Sequence, residues 1–326
     1  MKKRRLGDTD LEFTTVGLGT WAIGGGSNWK FGWGPQDEND AVAAVVKAVE
    51  LGINWVDTAA VYGDGNSEKL VGRALSEIPA SDRPYVATKC GRIVQSDGTV
   101  IGDLSPESIR AECDASLKRL GVEAIDLYQI HWPDPDEHIE QAWQTLVELK
   151  EQGKVRHIGV SNFKPEQLER IAAIAPVASL QPKYSMLAPN VEKKGLPFCG
   201  EHGIGVVCYS PMGKGLLTGR FTKERADRLS DDDHRSRDAM FQDPQLTVNL
   251  NFVDKLREIA ARFDRTVAEL AIAWTLRRPE VTSAIVGARS PAQIEGTATA
   301  GDWELDAETI TEIDGLLAER KAQLVG

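Results

Sequence analysis

The chain lacks most of what marks a secreted, membrane-spanning or nucleic-acid-binding protein. Its 326 residues include only four cysteines, Cys90, Cys113, Cys199 and Cys208, with no CxxC and no short pairing. Neither a disulfide framework nor a zinc knuckle is expected from that usage. The five histidines, His131, His138, His157, His202 and His234, show no ligand spacing, so no metal is expected either. No run approaches the roughly 18 consecutive apolar residues of a membrane span. The basic start MKKRRLGDTDLEF has no apolar stretch behind it, unlike a signal peptide. A cytoplasmic protein without a membrane partner is the expectation. Positive charge is also scarce: 38 Lys plus Arg against 49 Asp plus Glu leave a net charge of −11, which argues against a nucleic-acid partner. Fixed-period repeats, low-complexity tracts and linkers are missing, so one domain over residues 1–326 is expected.

What is present is a globular composition, 41% hydrophobic and 27% charged, with a regular alternation of short apolar runs and helix-period segments. The runs are VGLGT (16–20), INWVD (53–57), YVATK (85–89), DLYQIH (126–131), HIGVS (157–161), SLQP (179–182), GVVCYS (205–210) and SAIVG (283–287). Helical segments are expected over 37–51, 105–120, 136–152, 164–175, 190–202, 249–263, 266–278, 290–300 and 306–319. Continuous apolar strands alternating with helices predict a parallel sheet covered on its faces, and with this number of strands a closed (β/α)8 barrel. Residues 3–14 read as a hairpin able to plug the barrel's bottom. Residues 221–248 form a long charged insertion, expected to be either a lid or a solvated loop.

Barrel active sites lie at the C-terminal strand ends, and those ends are polar here: Asp57, Lys89, His131, Ser161-Asn162, Gln181 and Tyr209-Ser210. Tyr62 follows Asp57 on a loop with Gly63 and Gly65. A loop folding back over the mouth would bring its phenol to Lys89, whose ammonium is expected to lower the phenol's pKa, with Asp57 supplying the lysine's counter-charge.

These residues, in GINWVDTAAVYGDGNSE, ATK, IHWPD, GVSNF and YSPMGKGLLTG, resemble the aldo-keto reductase superfamily over nearly the whole chain. The resemblance implies a barrel that binds extended NADPH and reduces carbonyls, with Asp57, Tyr62, Lys89 and His131 as the catalytic set. It also implies that Ser161, Asn162 and Gln181 hold the nicotinamide carboxamide and that Tyr209 stacks on the ring, with Trp21 beside them. The turn Ser210, Pro211, Met212, Gly213, Lys214, Gly215 and Leu216 offers backbone N–H groups to the diphosphate, with Arg220 beside it. Gly287, Arg289 and Gln293 match the adenosine end, Arg289 suiting a 2′-phosphate. Gly296 and Thr297 depart from the Glu and Asn usual there, so weaker adenine contacts are expected and the preference for NADPH over NADH, the weaker alternative, rests largely on Arg289. Trp21, Trp29, Phe31, Trp33 and Trp132 are candidate substrate contacts. Two other readings stay open: a Schiff-base aldolase built on Lys89, and a nucleotide-binding regulatory subunit like the related potassium-channel beta subunits. The latter usually lack the histidine kept here as His131.

Overall fold

A computed structural model describes residues 1–25 and 31–325, so Trp29 lies outside the described residues. The strands are β1 (Lys3–Arg5), β2 (Glu12–Thr14), β3 (Val16–Gly19), β4 (Trp55–Asp57), β5 (Tyr85–Cys90), β6 (Arg92–Val94) and β7 (Val100–Gly102). They continue with β8 (Ile125–Ile130), β9 (Val155–Ser161), β10 (Ser179–Gln181), β11 (Gly205–Tyr209) and β12 (Val281–Gly287). Eight of them close a barrel in the order β3-β4-β5-β8-β9-β10-β11-β12 and back to β3. Each pair is parallel, so all C-terminal ends gather at one mouth. The barrel and all eight expected strands are therefore present, each within three residues of its expected limits.

Helix boundaries follow local chemistry. Asp37 caps Glu38–Glu50 by accepting from the Asn39 and Asp40 amides, and Ser105 caps Pro106–Leu120, which ends on left-handed Gly121. One helix, Asn66–Glu77, was not expected. It starts from left-handed Gly65 without a side-chain cap, and the Gly-rich GDGNSE at its start reads as a turn. The hairpin β6-β7 was not expected either, although Asp97-Gly98, lying between Val94 and Val100, carries a turn signal.

The opposite end of the barrel is closed by β1-β2, an antiparallel hairpin. Leu6, Leu11 and Phe13, all fully buried, fill the interior with Trp55, Ala87, Leu127 and Val207. Phe13 stacks on Trp55 at 4.5 Å. The indole occupies the place of a side chain on Gly17, whose Cβ would fall 2.0 Å from the ring. The expected plug is real, and it leaves the mouth as the open end. Residues 221–248 are neither a bare loop nor solvated throughout. They carry a short helix, Lys223–Ala226, and two 3₁₀ turns, His234–Arg237 and Ala239–Phe241. Phe221, Phe241 and Leu246 bury a small core of their own with Leu216. The following helix starts at Gln245, earlier than the expected 249.

Candidate active site

At the mouth, Asp57 ends β4, Lys89 is the last residue but one of β5, and His131 follows β8. Lys89 Nζ donates to both Asp57 carboxylate oxygens and to the Thr58 carbonyl, each at 2.8 Å, and to the Tyr62 hydroxyl at 3.4 Å. Tyr62 reaches that position on a tight turn at Gly63, where φ is +60° and a Cβ would stand 2.2 Å from the Gly24 carbonyl oxygen. Only glycine fits there. The phenol ring meets His131 edge-on at 5.7 Å and Trp21 face-on at 6.4 Å.

Burial dominates the electrostatics of this group. It pushes the Asp57 carboxyl up and the Lys89 ammonium down, and their mutual attraction opposes both shifts. Tyr62 is pushed well above its ordinary value, first by burial and then by the negative charge of Asp57. The expected lowering by Lys89 does not occur, because Asp57 offsets the ammonium's charge and desolvation adds to it. His131 is held well below its ordinary value by burial, then by Lys89 and Arg92, so its imidazole is neutral near pH 7. A neutral phenol and a neutral imidazole thus face one space beside a buried ion pair.

That space is a cleft of about 760 Å³ running from Asp57, Tyr62 and His131 to Gly296 and Thr297. Ser161 donates to the Gln181 carbonyl at 2.8 Å, Gln181 Nε2 to Asp57 at 2.8 Å, and the Tyr209 hydroxyl to Asn162 Oδ1 at 2.9 Å. Farther along, Gly213, Lys214 and Gly215 have φ of +56°, +56° and +98°, a turn that bends the backbone away from helical geometry. Ser210, Pro211, Met212, Gly215 and Arg220 line the cleft there, and Gly287, Arg289 and Gln293 line its far end. Arg289 is already engaged: Nε donates to Gln36 Oε1 at 2.6 Å, Nη1 to the Trp33 carbonyl at 2.9 Å, and Nη2 to the Pro35 carbonyl. Its backbone N–H is received by Gln293 at 2.8 Å.

Two expected residues stand behind the wall rather than on it. Lys89 is buried beneath Asp57 and Tyr62, and Gly213 is buried against Leu187 and Leu217. Of the aromatic candidates, Trp21, Phe31, Trp33 and Trp132 line the cleft. Trp21 packs edge-on against Trp33 at 5.5 Å and donates from its indole to the Phe31 carbonyl at 3.0 Å. Phe31 and Trp132 are 46% and 41% exposed at the rim, where Arg92 lies over Trp132 at 5.7 Å.

Sequence reasoning left residues 221–248 as either a lid or a solvated loop and missed their contacts at the cleft. Trp33 pairs with Asp233 across the cleft, and Arg235 lies over Trp33 at 4.5 Å while its Nε and Nη2 bind the Asp233 carboxylate. It also missed Lys183, Arg225 and Arg235 as lining residues. The basic, aromatic and acidic spacing of 221–248 gives no periodic signal for such a cross-cleft contact. With them, two lysines and five arginines face the cleft among the described residues, against one carboxylate, Asp57.

Fold and site define a (β/α)8-barrel oxidoreductase with a long cationic cleft. Residues 15–318 match the Aldo/keto reductase family, and the chain belongs to it. It is 36% identical to aldo-keto reductase YhdN of Bacillus subtilis (strain 168), over 100% of this chain and 96% of that protein. It is 37% identical to the NADH-specific methylglyoxal reductase of Escherichia coli (strain K12), over 90% of this chain and 91% of that one. Among solved structures, a glycerol dehydrogenase from Gluconobacter oxydans superimposes with a TM-score of 0.88 at 38% identity, covering 98% of this chain and 95% of that chain. Members act on small-molecule carbonyl compounds with nicotinamide cofactors, and this chain is an NAD(P)H-dependent oxidoreductase. No described helix is long and apolar enough to cross a membrane, and no metal-binding cluster is found among the described residues.

Proposed function

We propose that the protein reduces an aldehyde, ketone or sugar carbonyl to the alcohol with NADPH, NADH being a weaker alternative, residues 1–326 acting as one domain. The observation that carries this reading is the set at the mouth: Tyr62 and neutral His131 facing one space, with Lys89 bonded to Asp57 behind the phenol. The residues fit a dinucleotide. Polar side chains surround the reaction end, a glycine-bearing turn with positive φ follows, and cations outnumber carboxylates along the cleft. When bound, the nicotinamide supplies the hydride.

The chain's residues do the rest. His131 donates a hydrogen bond that orients and polarises the carbonyl. Tyr62 gives its proton to the oxygen as negative charge develops there. A phenol pushed above its ordinary pKa stays protonated over the working range, and an alkoxide is a far stronger base, so the transfer runs downhill. Lys89 stabilises the phenolate as it forms, and Asp57 keeps Lys89 charged and aimed. Ser161, Asn162 and Gln181 would hold the carboxamide, and Tyr209 the ring face. Arg220 and the turn at Gly215 would take the diphosphate, and Arg289 the 2′-phosphate.

The aldolase reading is disfavoured because Lys89 has three short acceptor contacts and no face on the cleft. Keeping His131 disfavours a purely regulatory role. Tyr62→Phe tests the mechanism: kcat falls by about 10²- to 10⁴-fold while the Kd for NADPH changes little. Normal turnover in that variant sinks the assignment of Tyr62 as proton donor.

A further inference from the structure

Nothing in the reading above uses Lys183. It lies two residues beyond the end of β10, bridges to Tyr209 through the backbone, and lines the cleft half-buried. No described residue accepts a hydrogen bond from its ammonium. Burial pushes that ammonium's pKa down, and neighbouring Lys214 pushes it further, with Asp238 in opposition. Lys214 lies across from it, bonded to Asp238 at 2.8 Å and 5.9 Å from the Trp21 ring. Trp21 in turn stacks on Tyr62. Two partly buried ammoniums therefore share one carboxylate on the reaction side of the cleft, between Tyr209 and Trp21. A surplus charge with no protein partner, held out of bulk water, is stabilised by a ligand oxyanion that donates nothing and accepts from both amines.

On the carbonyl-reductase reading, we propose that Lys183, supported by Lys214, binds a carboxylate or phosphate group carried by the carbonyl substrate, and that the enzyme prefers anionic carbonyl compounds to neutral ones. The cofactor's own phosphates have other ligands along the cleft. Arg220 and the turn at Gly215 line it as well, and so do Arg225, Arg235 and Arg289, which sense one another's charge. The rim opposite is aromatic, with Trp132 and Phe31 exposed, which suits the uncharged part of such a substrate.

The test uses matched pairs: butanal against 4-oxobutanoate, and glyceraldehyde against glyceraldehyde 3-phosphate. In the parent protein the charged member of at least one pair has the higher kcat/KM, and added salt shrinks the ratio. In Lys183→Met the charged-to-neutral ratio of kcat/KM falls tenfold or more, and Lys183→Arg restores part of it. Circular dichroism confirms that both variants fold. A ratio unchanged in Lys183→Met, or no preference for charge in the parent, overturns the proposal. So does a loss of NADPH affinity in Lys183→Met, measured without substrate, equal to its loss in kcat/KM, because the lysine then serves a cofactor phosphate. Failure of the parent to reduce any of the four compounds strikes the reductase reading itself and this inference with it, a result distinct from the other three.

Discussion

A single side chain's environment decides its chemistry here more than its type does. Lysine next to tyrosine implies an acidified phenol, and that was the expectation for Tyr62, yet the carboxylate that holds Lys89 also faces the ring and the pocket is desolvated. The sign of the shift depends on a third residue that spacing alone does not weigh. The same applies to Arg289. Its position before a short helix reads as a free phosphate ligand, but three acceptors in the Trp33–Gln36 segment hold its guanidinium. Binding a 2′-phosphate must then compete with those contacts, or share the charge while keeping them. Arg289→Ala is expected to weaken NADPH by about tenfold, the low end for a charge-assisted contact, and to change NADH by less. Titrations followed by tryptophan fluorescence measure both. Equal losses would mean that Arg289 acts by holding the loop at Trp33 rather than by reading the phosphate.

Among the elements, the strands and most helices were legible because burial on both faces leaves continuous apolar runs, and because Ser105-Pro106 and Gly121 punctuate the chain. The helix Asn66–Glu77 was not, although Leu70, Val71, Ala74 and Leu75 recur at helical spacing, because its first turn is spelled in turn residues. Of the site, the residues at strand ends were readable from the barrel rule. The cations of 221–248 were not, because their placement depends on a contact with Trp33 across the cleft. One buried group escaped notice altogether. Glu112, inside the helix Pro106–Leu120, accepts the Gly91 amide at 2.9 Å, while its other oxygen is buried with no hydrogen-bond partner among the described residues. Burial pushes its carboxyl up to about 8. The folded protein thus keeps a proton that the unfolded chain releases, so stability is lost as pH rises from the ordinary glutamate value to about 8, and levels off above it. Glu112→Gln removes that dependence. Urea unfolding at pH 5 and pH 8.5 is expected to show the variant gaining about 2 to 4 kcal/mol on the parent between the two. Parallel stability curves would show that Glu112 ionises in the folded state as freely as in the unfolded one.

For the whole molecule, the charge of −11 and the cleft of two lysines and five arginines pull an anionic dinucleotide in opposite directions. Range decides which prevails. At about 10 mM salt the screening length is roughly 30 Å, comparable to the size of the barrel, so an approaching dinucleotide feels the whole net charge and is repelled. At about 150 mM it shrinks to roughly 8 Å, and only the cationic lining near the mouth is felt, focused by the low-dielectric walls. Further salt then screens that attraction as well. The association rate for NADPH, followed by stopped-flow fluorescence, is therefore expected to rise between about 10 and 100 mM salt and fall beyond. A steady fall over the whole range would mean that the cleft's field outreaches the acidic surface even at long range. A steady rise would mean that Asp233 and Asp238, paired with Arg235 and Lys214, already neutralise the lining, leaving Lys183 and the arginines without ion-pair partners too few to steer.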